Sequence, residues 1–118
     1  MKGETIMKIF VSLPMRGHTD EDIKNRLSGI SATLKERFKD EEIEIIDSFV
    51  NYPPVDSDEV ISIPVWYLGR SLQLLSKVDA IYFGAGWKDA RGCRIERLVA
   101  EEYGINIIDE AESSNESK

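Results

Sequence analysis

Two short segments, Pro14-Met15-Arg16-Gly17 and Gly86-Trp87-Lys88-Asp89-Ala90-Arg91-Gly92, hold the residues best suited to chemistry. Each follows an apolar strand-like run, each opens a helix, and each brings an Arg-Gly pair to that junction. Backbone N–H groups at a helix N-terminus favour an anion, and a glycine lets the backbone approach it closely, so each pair suits a phosphate or carboxylate. Behind the second pair stands Glu96, read as a first-turn residue whose carboxylate the helix dipole and Arg91 or Arg94 would keep ionised. An ionised, positioned carboxylate can attack an electrophilic sugar carbon and form a glycosyl ester. Helix-terminus electrostatics alone would also account for a Glu at that position.

The neighbouring residues divide in the same way. Asp89 can orient a ribose hydroxyl, protonate a leaving base, or simply cap the helix. Trp87 can exclude water or stack on an aromatic ring. Asp47 and Ser48 end the second strand and either reach a pocket or cap the following turn. Arg16 and Gly17, with the hydroxyl of Ser12 and the N–H groups of Gly17 to Asp20, form a candidate phosphate holder beside the Arg91-Gly92 pair. Neither segment is a P-loop or a dinucleotide fingerprint, because Gly-Lys-Ser/Thr and Gly-x-Gly-x-x-Gly are both missing. Asp79 precedes a strand at the opposite end of the sheet and is read as a turn former. His18 and Cys93 lack partners at metal-ligand spacing, so no metal site is expected, and Cys93 is read as a buried thiol.

These residues need a frame. Lys8 to Leu13 reads as a buried parallel strand. Thr19 is an N-cap with Asp22 three residues on, and Ile23, Leu27, Ile30, Leu34 and Phe38 trace one helix face. Ile43 to Asp47 is a second strand, and Ser48 to Ile63 is a long polar connection of the kind that often binds ligands. A second helix spans Trp66 to about Ser76. Ala80 to Phe83 is a third strand, Cys93 to Tyr103 a third helix closed by Gly104, and Ile105 to Ile108 a last strand. Alternating strands and helices predict an α/β fold in three layers, flavodoxin- or Rossmann-like, with a parallel sheet of four to five strands in the order 2-1-3-4. Its switch point lies between the first and third strands, where both Arg-Gly loops emerge.

Composition sets outer limits. The 118 residues fit one domain, expected over 1–109, with an acidic Ser/Asn/Glu-rich tail over 110–118 expected to be disordered. Net charge is −7, about −4 without the last ten residues, which argues against a duplex nucleic-acid footprint but permits a small anionic ligand held by a few arginines. No apolar run reaches the roughly 20 residues of a membrane span. The first residues lack a signal-peptide core and there is a single cysteine, so a cytoplasmic setting is expected.

The runs Ile9 to Gly17, Ile46 to Phe49, Tyr67 to Ser71, and Val78 to Phe83 through Gly86-Trp87 to Glu96 together resemble the uncharacterised DUF4406 group of phage and bacterial proteins. That group is itself similar to the nucleoside 2-deoxyribosyltransferases, and the resemblance spans roughly Lys8 to Ile108. It implies that Glu96 is the nucleophile taking a 2-deoxyribosyl group, that Asp89 assists, and that Ser12, Arg16 and Gly17 contact a 5′-phosphate. It also implies a homo-oligomer, for which Trp66 and Tyr67 would supply an exposed aromatic pair. The aromatic hydroxyl that many transferases carry after the first strand has no counterpart here. Nor is there an obvious match to the carboxy-terminal residue that such oligomers lend to a neighbouring site. The expected activity is cleavage or transfer at the N-glycosidic bond of a 2′-deoxynucleoside or its 5′-monophosphate, without metal or organic cofactor. The alternative is a non-catalytic nucleotide binder that senses or sequesters its ligand.

Overall fold

The first strand, β1 (Ile6–Ser12), is buried at Ile9, Phe10, Val11 and Ser12 on both faces, as a central strand covered from two sides must be. The structure is a computed structural model and describes residues 6–47, 55 and 58–110. Along the chain β1 is followed by α1 (Asp20–Arg37), β2 (Glu42–Asp47), α2 (Ile63–Leu75), β3 (Ala80–Phe83), a 3-10 turn (Trp87–Asp89), α3 (Arg91–Tyr103) and β4 (Asn106–Asp109). Among the described residues these strands form a four-stranded, all-parallel sheet in the order β2-β1-β3-β4. The expected α/β architecture and strand order are therefore observed.

Strand periodicity sends neighbouring residues of β1 into different cores. Ile9, Val11 and Leu13 pack with Ile30 and Leu34 of α1 and with Ala80, Tyr82 and Ile108. Phe10 packs on the other face with Leu75 of α2, Ala100 of α3, and Ile81 and Phe83. Thus α1 covers one side of the sheet while α2 and α3 cover the other. Ser12, two residues beyond Phe10, is carried towards α3, and its strand register places it opposite Phe83.

Local signals fix most helix ends. Thr19 and Asp22 form a reciprocal capping box: Asp22 N–H donates to Thr19 Oγ1 at 3.0 Å and Thr19 N–H to Asp22 Oδ2 at 3.4 Å. Helix α2 starts at Ile63, three residues before the expected Trp66, because Ser62 caps it and Pro64 is tolerated in its first turn. Helix α3 likewise starts at Arg91, two residues before the expected Cys93. The chain stays in the fold through Glu110, whose N–H donates to Phe83 O at 3.0 Å and whose side chain binds the β3–α3 loop. Residues 111–118 of the expected tail, and Ser48 with most of the connection before α2, lie outside the described residues.

The capping box is exposed, so its contribution is separable from the core. Thr19→Ala should lower unfolding free energy by about 1 kcal/mol in a urea titration, with an unchanged m-value.

Candidate functional site

Past their paired residues, β1 and β3 part, since the chain leaves β1 for one face of the sheet and β3 for the other. The opening is a cleft of about 1060 Å³. The segment after β1 lines it with Ser12, Pro14, Met15, Arg16 and His18, and α1 adds Arg26. The segment after β3 lines it with Gly86, Asp89, Arg91, Gly92, Cys93, Arg94 and Glu96. The two Arg-Gly loops thus face one crevice. Four arginines border it against one exposed carboxylate, Asp89, so its local field is positive although the chain as a whole is acidic.

Glu96 forms the floor. With α3 beginning at Arg91, it sits in the second turn, not the first, on the helix face it shares with Cys93 and Ala100. It is only 6% exposed, and its Oε1 accepts a 2.7 Å hydrogen bond from the Ser12 hydroxyl. Ser71 of α2, fully buried one turn before Leu75, is also hydrogen-bonded to it. Burial raises the Glu96 pKa from the ordinary 4.5 to about 7, and the hydrogen bonds from Ser12 and Ser71 only partly offset that. The carboxylate expected to be kept ionised is therefore only partly so at neutral pH, because desolvation dominates. Arg91 is exposed and Arg94 donates to Lys88 O at 3.0 Å, so neither guanidinium neutralises Glu96.

Cys93 lies against the same serine. Its thiol is 4% exposed, and burial pushes its pKa up to about 11, with a lowering contribution from the Ser12 hydrogen bond. It stays protonated at neutral pH, as a buried structural thiol does.

The remaining expected residues separate into rim, support and bystander. Asp89 ends the 3-10 turn, is exposed, and lines the cleft. It does not cap α3, whose N-cap is Ala90 and whose first turn carries no acid and no side-chain cap. Gly86 holds φ +90 at the start of that turn, a conformation that keeps a glycine there. Trp87 does not line the cleft; its ring centroid is 5.7 Å from that of Phe83, and the Arg97 guanidinium lies 4.4 Å above it. Its ring packs against the core.

At the α1 terminus, two of the N–H groups expected to meet a phosphate have partners within the chain. His18 N–H donates to Met15 O at 3.1 Å and Thr19 N–H is taken by the capping box. Asp20, Glu21 and Asp22 put three acids in the first turn, which repel an anion. Arg16 reaches the cleft, whereas Gly17, in the turn beside it, does not line it. Asp47 is buried at the end of β2 and also stays outside, since β2 pairs with β1 on the edge away from β3. Ser48 lies outside the described residues. Ser71 and Arg26 carried no expected role. A serine one turn before the core residue Leu75 was the signal for the first, and no local pattern marks the second.

Among the described residues no cluster of three or more His, Cys, Asp or Glu side chains could hold a metal ion, and no helix is long and apolar enough to cross a membrane. No family model matches the chain, and no curated protein sequence does. A solved structure of a conserved protein from Enterococcus faecalis is similar, with a TM-score of 0.61 and 12% identity over 89% of this chain. The chain spans 63% of that protein's length. At such identity the likeness shows the three-layer α/β fold alone.

The Glu96 environment sets a pH dependence. A carboxyl with pKa about 7 when folded and about 4.5 when unfolded keeps a proton in the native state that the unfolded chain releases. Its contribution is therefore fully present below about pH 4.5 and is lost as pH rises to about 7, a loss on the order of 3 kcal/mol. In denaturant titrations, Glu96→Gln should lack this component, so its stability relative to the unmodified protein should rise between about pH 4.5 and 7 and then level.

Proposed function

We propose that the cleft binds a 2′-deoxynucleoside or its 5′-monophosphate and that Glu96 attacks C1′, breaking the N-glycosidic bond. What carries this reading is a buried carboxyl with its pKa near neutrality, on the floor of an arginine-bordered cleft at the switch point of the sheet. A carboxyl of that kind has an appreciable ionised fraction at pH 7 and retains the basicity a good nucleophile needs. Ser12 holds one of its oxygens, which orients the group. The C1′–N bond pair leaves with the base, Asp89 on the rim passes a proton to that departing nitrogen, and Arg16 and Arg91, exposed at the mouth, attract the phosphate. Water then releases the sugar in hydrolysis, or a second base receives it in transfer. We infer from the same residues a kinship with the DUF4406 group and the deoxyribosyltransferase-like proteins, and the proposed chemistry calls on no cofactor.

One observation favours a second reading. Glu96 is so enclosed that a ligand resting among the arginines need not reach it. The protein would then be a nucleotide binder, with Glu96 serving the fold.

Incubation with each deoxynucleoside monophosphate, followed by chromatography of free base, separates the two. Base release should rise with pH to half its maximum near pH 7, and Glu96→Gln should reduce it by at least about a thousandfold. Tight binding without release in the unmodified protein would establish the binder, and release that survives in Glu96→Gln would remove Glu96 as nucleophile.

We also propose that the chain self-associates through the first half of α2, which is apolar from Ile63 to Leu68. Trp66 and Tyr67 are half-buried and packed edge to face at 5.0 Å, so the exposed apolar residues are instead Ile61, Ile63 and Val65. Sedimentation should show a dimer that Val65→Glu dissociates; a monomer at all concentrations would rule this out.

A further inference from the structure

The loop after β3 carries Asp89, Arg91 and the start of α3, yet its first residues have little core beneath them: Ala85 and Gly86 are exposed. What holds them comes from two distant parts of the chain. Arg26 Nη2, on α1, donates to Ala85 O at 3.0 Å and to Glu110 Oε1 at 3.1 Å. The same Glu110 oxygen accepts the Ala85 N–H at 2.8 Å. Both backbone groups of Ala85 are thus held by one ion pair, whose members lie 84 positions apart in sequence. The preceding residue is pinned as well, with Gly84 N–H donating to Ser12 O at 3.0 Å. Gly84 is buried, and a Cβ there would collide with Leu13 Cδ2 and come within 3.0 Å of Arg26 Nη2.

Arg26 is also part of the cleft wall. It projects from the helix on one side of the sheet to the loop that feeds the helix on the other. That is the gap which the parting of β1 and β3 opens.

We propose that Arg26 is a positioning residue that ties the two walls of the cleft together through Ala85 and Glu110, fixing the β3–α3 loop over Cys93 and Glu96. The tie serves whatever ligand the cleft takes, so it stands apart from the glycosidic reading. Its side chains are 31% and 37% exposed, which makes it a weak contributor to global stability. Its effect is local opening, a low-energy excursion that leaves the sheet intact.

Cys93 provides the readout. It is the chain's single cysteine, it lines the cleft, and it is 4% exposed, so a thiol reagent reaches it in the native protein only when the wall opens. Loss of the Arg26 charge by itself raises the Cys93 pKa and slows labelling, so faster labelling reports opening and not electrostatics. Arg26→Ala should accelerate native-state maleimide labelling about tenfold and speed hydrogen exchange of the amides over 85–92, with β1 and β3 amides unchanged. Arg26→Lys, which keeps a donor and the charge, should recover part of the protection. The proposal is overturned if Arg26→Ala labels at the unmodified rate, or if its faster labelling is matched by an equal rise in exchange at the β1 and β3 amides. Either result is obtained whether or not any base is released.

Discussion

The site depends on the divergence of the chain at the ends of β1 and β3. Two adjacent parallel strands feed helices on opposite faces of the sheet, so no connection can cover the ends of both. The cleft is the residue of that topology, present before any side chain is chosen. Parallel pairing at a fixed register then decides what meets there. Ser12 is the last paired residue of β1, it lies beside Phe83, and the two-residue period turns it towards α3, where Glu96 waits one helical turn before Ala100.

Placing a carboxyl in that position is unfavourable, and the surroundings only partly relieve it. A carboxylate with so little exposure loses most of its hydration, and two serine hydroxyls replace only some of it. An apolar residue would fit the same helix face, which otherwise carries Cys93 and Ala100 into the core. The fold therefore holds a locally unfavourable group at the one opening its topology creates, the pattern expected where chemistry or recognition competes with stability.

Around the floor, arginines do two kinds of work. Arg26, Arg94 and Arg97 hold the β3–α3 segment: the first through Ala85, the second through Lys88 O, the third by lying over Trp87 and Phe83 while paired with Asp109 and Glu101. Arg16 and Arg91 stand exposed at the mouth. A guanidinium suits both tasks, since its planar fork can bridge backbone and carboxylate or meet an anion with paired donors. The first group shapes the wall that the second then charges.

The strands and the α1 capping box were legible in the residues because they follow from periodicity and local steric preference, and the parallel order and the meeting of the two Arg-Gly loops were legible through the alternation of strands and helices with right-handed crossovers. Helix starts at Ile63 and Arg91 were less so: Pro64 and the absence of a capping side chain at Ala90 blur the signal. Tertiary structure alone decided what the site residues do. It gave Trp87 to the core, set Asp47 on the far side of β1, and brought in Ser71 and Arg26 from other elements. It also raised the Glu96 pKa to about 7, so the carboxyl is only partly ionised at neutral pH. The amino-acid order fixes which groups a helix carries and at what spacing, whereas the free energy of a charge depends on how much water the packed neighbours remove. That quantity belongs to the assembled three layers and to no segment of the chain.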